Sequence, residues 1–116
     1  MKYLFLLYAD ENGFPAPDSP EAKAQLDAYG AFFNEVDGRG LFQAGDPVQS
    51  SSTATTVTVR DGQASNAQGP ASPGGEQIIG FYVLDVSGPD EAVELAAKIP
   101  AAAYGRVEAR PILVLS

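Results

Sequence analysis

Apolar and polar positions divide the chain into a short series of distinct segments. Residues 2–8, Lys2-Tyr3-Leu4-Phe5-Leu6-Leu7-Tyr8, form an apolar run without polar alternation. Such a run suits a strand buried on both faces and central in its sheet. Residues 9–18 contain Gly13, Pro15 and Pro17 and read as a loop. Ser19-Pro20-Glu21 then opens a helix. Ser19 caps, Pro20 suits the first helical position, and Glu21 complements the helix dipole. Ala22, Leu26, Tyr29, Phe33 and Val36 recur at spacings of three and four and predict one apolar helix face. Gly38 and Gly40 predict its end.

Leu41 to Val48 predicts a second strand, and Gly45-Asp46-Pro47 within it marks an edge, a bend or a strand end. Residues 54–60 alternate and are rich in β-branched side chains, and Asp61-Gly62 is a two-residue turn signal. A return strand over Gln63 to Asn66 completes a predicted hairpin. A loop rich in Gly, Pro and Ser follows over 67–75, then an apolar strand over 76–86. Ser87-Gly88-Pro89-Asp90-Glu91 opens a second helix with Ala92, Leu95, Ala96 and Ile99 inward, and Pro100 stops it. Val107 to Leu115 predicts a last strand, with Pro111 at a bulge or edge.

With the hairpin set aside, the order is β-α-β-β-α-β, the ferredoxin-like arrangement of an α+β fold. Two helices cover one sheet face. Phe5, Phe81 and Val83 place large apolar groups on one face or the other. An uncovered apolar sheet face is an association surface, and a homodimer packed sheet against sheet is the expected solution. The 116 residues fit one domain spanning 1–116.

Composition removes several function classes. The formal charge is −8, from 15 acidic and 7 scattered basic residues, which argues against direct nucleic-acid binding. No apolar run reaches about 18 residues, so no membrane span is expected. The apolar start is short and runs straight into Asp10-Glu11, unlike a signal peptide, and a cytoplasmic location is expected. There is no Cys and no His. Thiolate and zinc-thiolate chemistry, disulfides and Ser-His-Asp triads are therefore outside this chain's means. Acid–base work falls to Asp, Glu, Tyr, Lys or the N-terminal amine. No cofactor is implied. Asp10, Glu11, Asp18 and Glu21 lie close together but lack a calcium-loop spacing, so no metal site is expected.

Gln68-Gly69-Pro70-Ala71-Ser72-Pro73-Gly74-Gly75-Glu76, running into Gln77-Ile78-Ile79-Gly80-Phe81-Tyr82-Val83, resembles the signature segment of the YCII-related family, in its Asp-Gly-Pro-Phe branch. The opening strand, Asp27-Ala28-Tyr29-Gly30-Ala31-Phe32, the hairpin over 53–62 and the closing segment over 99–111 resemble family segments in the same order and spacing. The resemblance implies a dimeric α/β barrel of ferredoxin-like units. For some members a His-Asp pair in a cleft is proposed as catalytic, some relatives act on chlorinated aromatic breakdown products, and members of the branch are often linked to alternative sigma factors. Gln68 and Ala71 stand where the branch has Asp and Phe, and Pro73, Gly74 and Gly75 replace its acidic residue, Thr and Lys. Gly69, Pro70 and Glu76 are retained. With no His, the dyad does not carry over.

Candidate site residues follow. Glu76, where the loop enters the strand, and Asp46, at the Gly-Asp-Pro bend, are the candidate general bases. The plainer alternatives are a solvated strand-end carboxylate and a turn-forming Asp. Tyr8 and Tyr82 lie on strands expected to be neighbours and are either pocket-lining donors or packed aromatics. Arg60 and Arg110 are candidate anion-binding groups, with ion pairing as the alternative, since Arg110 and Glu108 share a strand face. Gly69 and Pro70 join them as the retained part of the signature. Gly74-Gly75 is not a phosphate loop, because it leads into a strand with no following Lys. Two functions are consistent with this set. One is a homodimer binding a small organic or aromatic metabolite in a cleft near the 67–76 loop, lined by Tyr8, Asp46, Glu76 and Tyr82, with carboxylate chemistry if it is catalytic. The other is a non-catalytic accessory domain tied to transcriptional control through a partner protein.

Overall fold

The computed structural model describes residues 1–115. Strand β1 (Lys2–Ala9) leads through a 3₁₀ turn at Glu11–Gly13 to helix α1 (Pro20–Gly38). Strand β2 (Phe42–Pro47) follows, then a second 3₁₀ turn at Ser51–Thr53 and a hairpin of β3 (Thr55–Arg60) and β4 (Gln63–Gln68). Strand β5 (Gln77–Asp85), helices α2 (Pro89–Lys98) and α3 (Ala101–Tyr104), and strand β6 (Arg106–Pro111) complete the chain. The fold is α+β. Four strands form one antiparallel sheet in the order β2-β5-β1-β6, and β3-β4 form a separate two-stranded ribbon.

The predicted starts and stops have visible causes. The Ser19 hydroxyl accepts from the Ala22 N–H and satisfies one orphan donor of α1. Pro100 closes α2 and, itself in helical geometry (φ −54°, ψ −33°), begins α3, which the apolar pattern did not reveal. Gly105 turns the chain into β6 hard against β1. A Cβ there would lie 1.9 Å from the Tyr8 carbonyl oxygen. The last strand ends at Pro111 rather than Leu115, because beyond it only Ile112 N–H pairs back, to the Lys2 carbonyl.

Side chains on β1 alternate across the sheet, as strand geometry requires. Tyr3, Phe5, Leu7 and Ala9 are buried under the helices, while Leu4, Leu6 and Tyr8 are half-buried on the other face. The expectation of a strand buried on both faces therefore holds fully for one face only. The core gathers Phe5, Leu84, Leu95, Ile99 and Val36, each essentially inaccessible, with Phe32 and Ala92. Truncating Phe5 to Ala would cost about 3–5 kcal/mol by the usual large-to-small scale. The α1 face differs from the predicted stripe. Phe32 and Val36 are buried, whereas Leu26 is 72% and Phe33 39% exposed. The Phe32-Phe33 pair offers two faces to the sheet, and the helix is turned so that Phe32 takes the core.

The uncovered sheet face carries an apolar band. Leu4 pairs with Val83 and Leu6 with Phe81 in the register of β1 and β5. On the β6 side the same residues pair with Arg110 and Glu108. The sheet is open, with β2 and β6 at its edges, and does not close into a barrel within this chain. The molecule is flat, 47 × 46 × 18 Å, and the ribbon carries exposed Val57 and Val59. No helix among the described residues is long and apolar enough to cross a membrane.

Candidate functional site

A cleft of about 770 Å³ lies between α1 and the β2-β5 side of the sheet. Its walls follow from the turn of α1. Gln25, Leu26, Tyr29 and Phe33 line it from the helix, with Tyr29 also packed against the edge of the core. Phe42, Ile79 and Tyr82 form the sheet side, with Gly45 and Gly80 between them. The absence of side chains there matters. A Cβ on Gly45 would meet Tyr82 Cδ1 at 2.6 Å, and one on Gly80 would meet the Asp46 carbonyl oxygen at 3.1 Å. Tyr104 of α3 and Glu11 and Phe14 of the first loop also line the cleft.

Aromatic geometry holds these walls. The rings of Phe33 and Phe42 meet edge to face at 4.9 Å and 87°. Phe32 meets Tyr82 at 5.2 Å and 60°, which locks the Tyr82 ring from the core side. The hydroxyls of Tyr29 and Tyr104 are 2.5 Å apart in a hydrogen bond. Burial first, then the hydrogen bond to Tyr104, holds the Tyr29 phenol well above its ordinary pKa. Burial, with a smaller contribution from Tyr104, also raises Tyr82. Glu11 behaves oppositely. Its carboxylate accepts from the Ser51 hydroxyl at 2.5 Å and the Ser51 N–H at 2.8 Å, and these bonds lower its pKa. The cleft thus sets two phenols raised by burial, Tyr29 and Tyr82, against a carboxylate lowered by its hydrogen bonds, Glu11.

A second hollow, about 560 Å³, adjoins the first and shares Val48 and Ser50 with it. Tyr8, Pro70, Glu76 and Gln77 line it together with Ser51, Thr53, Thr55 and Thr56. The loop above it is tied down. Gln77 Nε2 donates to the carbonyls of Ser72 and Gly74, both at 2.9 Å. Gly69, at φ +113°, donates its N–H to the Ala54 carbonyl at 2.7 Å, and its own carbonyl accepts from the Thr56 hydroxyl at 2.8 Å. Among the described residues no group of three or more His, Cys, Asp or Glu side chains converges as a metal site would.

The model of the YCII-related domain matches residues 1–116, the whole chain. This chain belongs to the YCII-related domain family. No curated protein matches it in sequence.

In this YCII-related domain the residues singled out from sequence fall in separate places. Tyr8, Pro70 and Glu76 meet in the smaller hollow, whereas Tyr82 lines the larger cleft. Tyr8 and Tyr82 sit on neighbouring strands but on opposite faces, because Tyr82 pairs with Phe5 and Tyr8 with Ile78 and Arg106. Asp46 pairs with Phe81, so strand alternation puts its side chain on the uncovered face and leaves its backbone to line the larger cleft. One cleft lined jointly by Tyr8, Asp46, Glu76 and Tyr82 does not form.

The charged candidates are engaged elsewhere. Glu76 Oε1 accepts from Arg106 Nε at 2.6 Å. Arg110 Nε donates to Glu108 at 2.6 Å within β6, and the Tyr8 hydroxyl donates to the same carboxylate at 3.3 Å. The Arg110 contact is the main reason Glu108 is held below the usual carboxylate range. Tyr8 is raised by burial first and by Glu108 next. Arg60 lies exposed at the ribbon tip and donates to the Val59 carbonyl, far from either hollow by sequence register.

Tyr29, Tyr104, Phe14, Phe33, Leu26 and Glu11 were not singled out from sequence as site residues. For Leu26, Tyr29 and Phe33 the helical period carries no sign of whether a stripe meets core or cleft. The adjacent Phe32-Phe33 was the available signal, since two neighbouring helical positions cannot both point into one narrow core.

Proposed function

We propose that this YCII-related domain is a small-molecule-binding homodimer whose ligand occupies the cleft between α1 and the β2-β5 side of the sheet. The cleft carries the reading. Its 770 Å³ suits a drug-sized metabolite, and its lining is mostly apolar and rich in aromatic side chains with a few polar groups, as in small-molecule sites generally. Binding, rather than acid–base chemistry, is what the groups favour. Glu76 is paired with Arg106, and the Asp46 carboxylate lies across the sheet from the cleft. The signature loop covers the adjoining hollow and reaches the ligand site only through the shared Val48–Ser50 stretch.

The homodimer is supported by two observations. The band of Leu4, Leu6, Phe81 and Val83 lies on the face that no helix covers. The radius of gyration is 16.1 Å, against about 13 Å for a compact chain of this length. We read the strand order, without the ribbon, as ferredoxin-like, and two such sheets packed face to face as the family's dimeric barrel.

The test is a crystal structure of protein purified without added ligand. Density for a small molecule among Tyr29, Phe33 and Tyr82 supports the reading. A cleft filled by repacked side chains overturns it. A second reading, an accessory domain that docks a partner protein, is favoured by the exposed Val57 and Val59 of the ribbon and by Leu113, Val114 and Leu115, each at least 79% exposed. Co-purification of a defined partner that is lost on replacing Val57 and Val59 by Thr would favour that reading over the first.

A further inference from the structure

We propose that the ligand of the aromatic cleft is an organic cation, an amine or quaternary ammonium attached to an apolar body. The proposal rests on the small-molecule reading above and names its ligand class. The lining uses three of the chain's five tyrosines, Tyr29, Tyr82 and Tyr104, and the rings of Phe14, Phe33 and Phe42. Aromatic faces are negative and attract ammonium groups within about 6 Å, most strongly where water is excluded.

Charge points the same way. Among the described residues no Lys or Arg lines the cleft, whereas Glu11 does. Glu11 is fixed in place by two hydrogen bonds from Ser51, so its charge is held at one wall rather than free to swing into solvent. Five of the seven cationic side chains, Lys23, Arg39, Lys98, Arg106 and Arg110, are already committed to ion pairs. The chain's net charge of −8 adds a field that draws cations and repels anions. A carboxylate ligand would enter a cleft with no positive partner and would be desolvated without compensation. Among small organic or aromatic metabolites, the cleft therefore favours a cation over an anion.

The test compares three ligands with one body: 2-phenylethylammonium, 2-phenylethanol and 3-phenylpropionate. Each is titrated into the full chain at neutral pH by calorimetry, with NMR shifts of the Tyr29 and Gly45 amides as the site marker. The ammonium compound is expected to bind about tenfold or more tighter than the alcohol, and the carboxylate most weakly. Glu11→Gln keeps an acceptor for Ser51 and is expected to remove most of that preference while leaving the alcohol's affinity unchanged. Leu26→Lys, at a position 72% exposed and so safe for folding, is expected to reverse the order of ammonium and carboxylate. An alcohol that binds as tightly as the ammonium compound overturns the cation proposal and leaves the cleft reading standing. No binding by any of the three up to millimolar concentration, with unmoved amide shifts, overturns both.

Discussion

Tyr29 on α1 and Tyr104 on α3, 75 positions apart in sequence, join their hydroxyls at 2.5 Å across the mouth of the aromatic cleft. This bond ties the helix bearing the cleft wall to the short helix that precedes the last strand. Tyr104→Phe leaves the Tyr29 hydroxyl half-buried without that partner, and Tyr29→Phe does the converse. Each single change is expected to cost about 0.5–1.5 kcal/mol in urea unfolding. The double change should cost less than the sum of the two, since the second removes a group already orphaned. Strict additivity in that cycle would show that the bond contributes nothing to stability.

Tyr29 also sets a pH dependence. The folded state raises the Tyr29 phenol above its unfolded value near 10, chiefly by burial. The raised value means the folded chain keeps a proton that the unfolded chain releases. This contribution is complete below about pH 10 and is lost as pH rises above it. Unfolding free energy is therefore expected to fall as pH rises above about 10, and Tyr29→Phe should make the decline shallower. Urea titrations at stepped pH on the parent and on Tyr29→Phe, side by side, check this.

Much of the architecture was legible from sequence because its signals are local. The Ser19-Pro20 start, the Asp61-Gly62 turn and the Pro100 stop each act within a few residues, and each stands where the pattern put it. The site was less legible because it depends on rotation and register. One residue of rotation decides whether Phe32 or Phe33 enters the core, and one step of register decides which face Asp46 takes. Pairing of Tyr29 with Tyr104, or of Glu11 with Ser51, joins segments that no periodicity links.

Two glycines should respond in opposite directions to Ala. At Gly105 the added methyl falls 1.9 Å from the Tyr8 carbonyl oxygen, and backbone faces backbone, so neither can yield cheaply. Gly105→Ala is expected to lose about 4 kcal/mol or more, enough to leave little folded protein. At Gly30, inside α1, nothing lies within 4 Å. Gly30→Ala is expected to gain about 0.5–1 kcal/mol through helix propensity. Thermal unfolding of the two variants beside the parent decides both, and equal melting temperatures would refute the packing of α3 onto β1.

Glu76 offers a test of whether a carboxylate beside the 67–75 loop matters to ligand binding. Its partner Arg106 is 77% exposed, and exposed pairs contribute little. Glu76→Gln is expected to change stability by less than about 1 kcal/mol. It lines the smaller hollow, so affinity for a ligand in the aromatic cleft should be unchanged within error. A large drop in that affinity, measured by calorimetry, would place the ligand in the hollow beneath the 67–75 loop instead.

The uncovered sheet face supplies the last prediction. Val83 sits centrally on it, opposite Leu4 on β1 and Ala44 on β2, and is half-buried in the single chain. A lysine there projects from the outer face, so the helix-covered core on the other side is untouched. In a monomer Val83→Lys would be a surface change worth within about 0.5 kcal/mol. In a dimer packed face to face it buries an unpaired charge, and the penalty then exceeds what a modest interface supplies. Light scattering is expected to give the mass of two chains for the parent and of one for Val83→Lys. Gly30→Ala, remote from that face, should remain a dimer. A parent protein with the mass of one chain at micromolar concentration would remove the dimer and leave the apolar band to be explained by another partner.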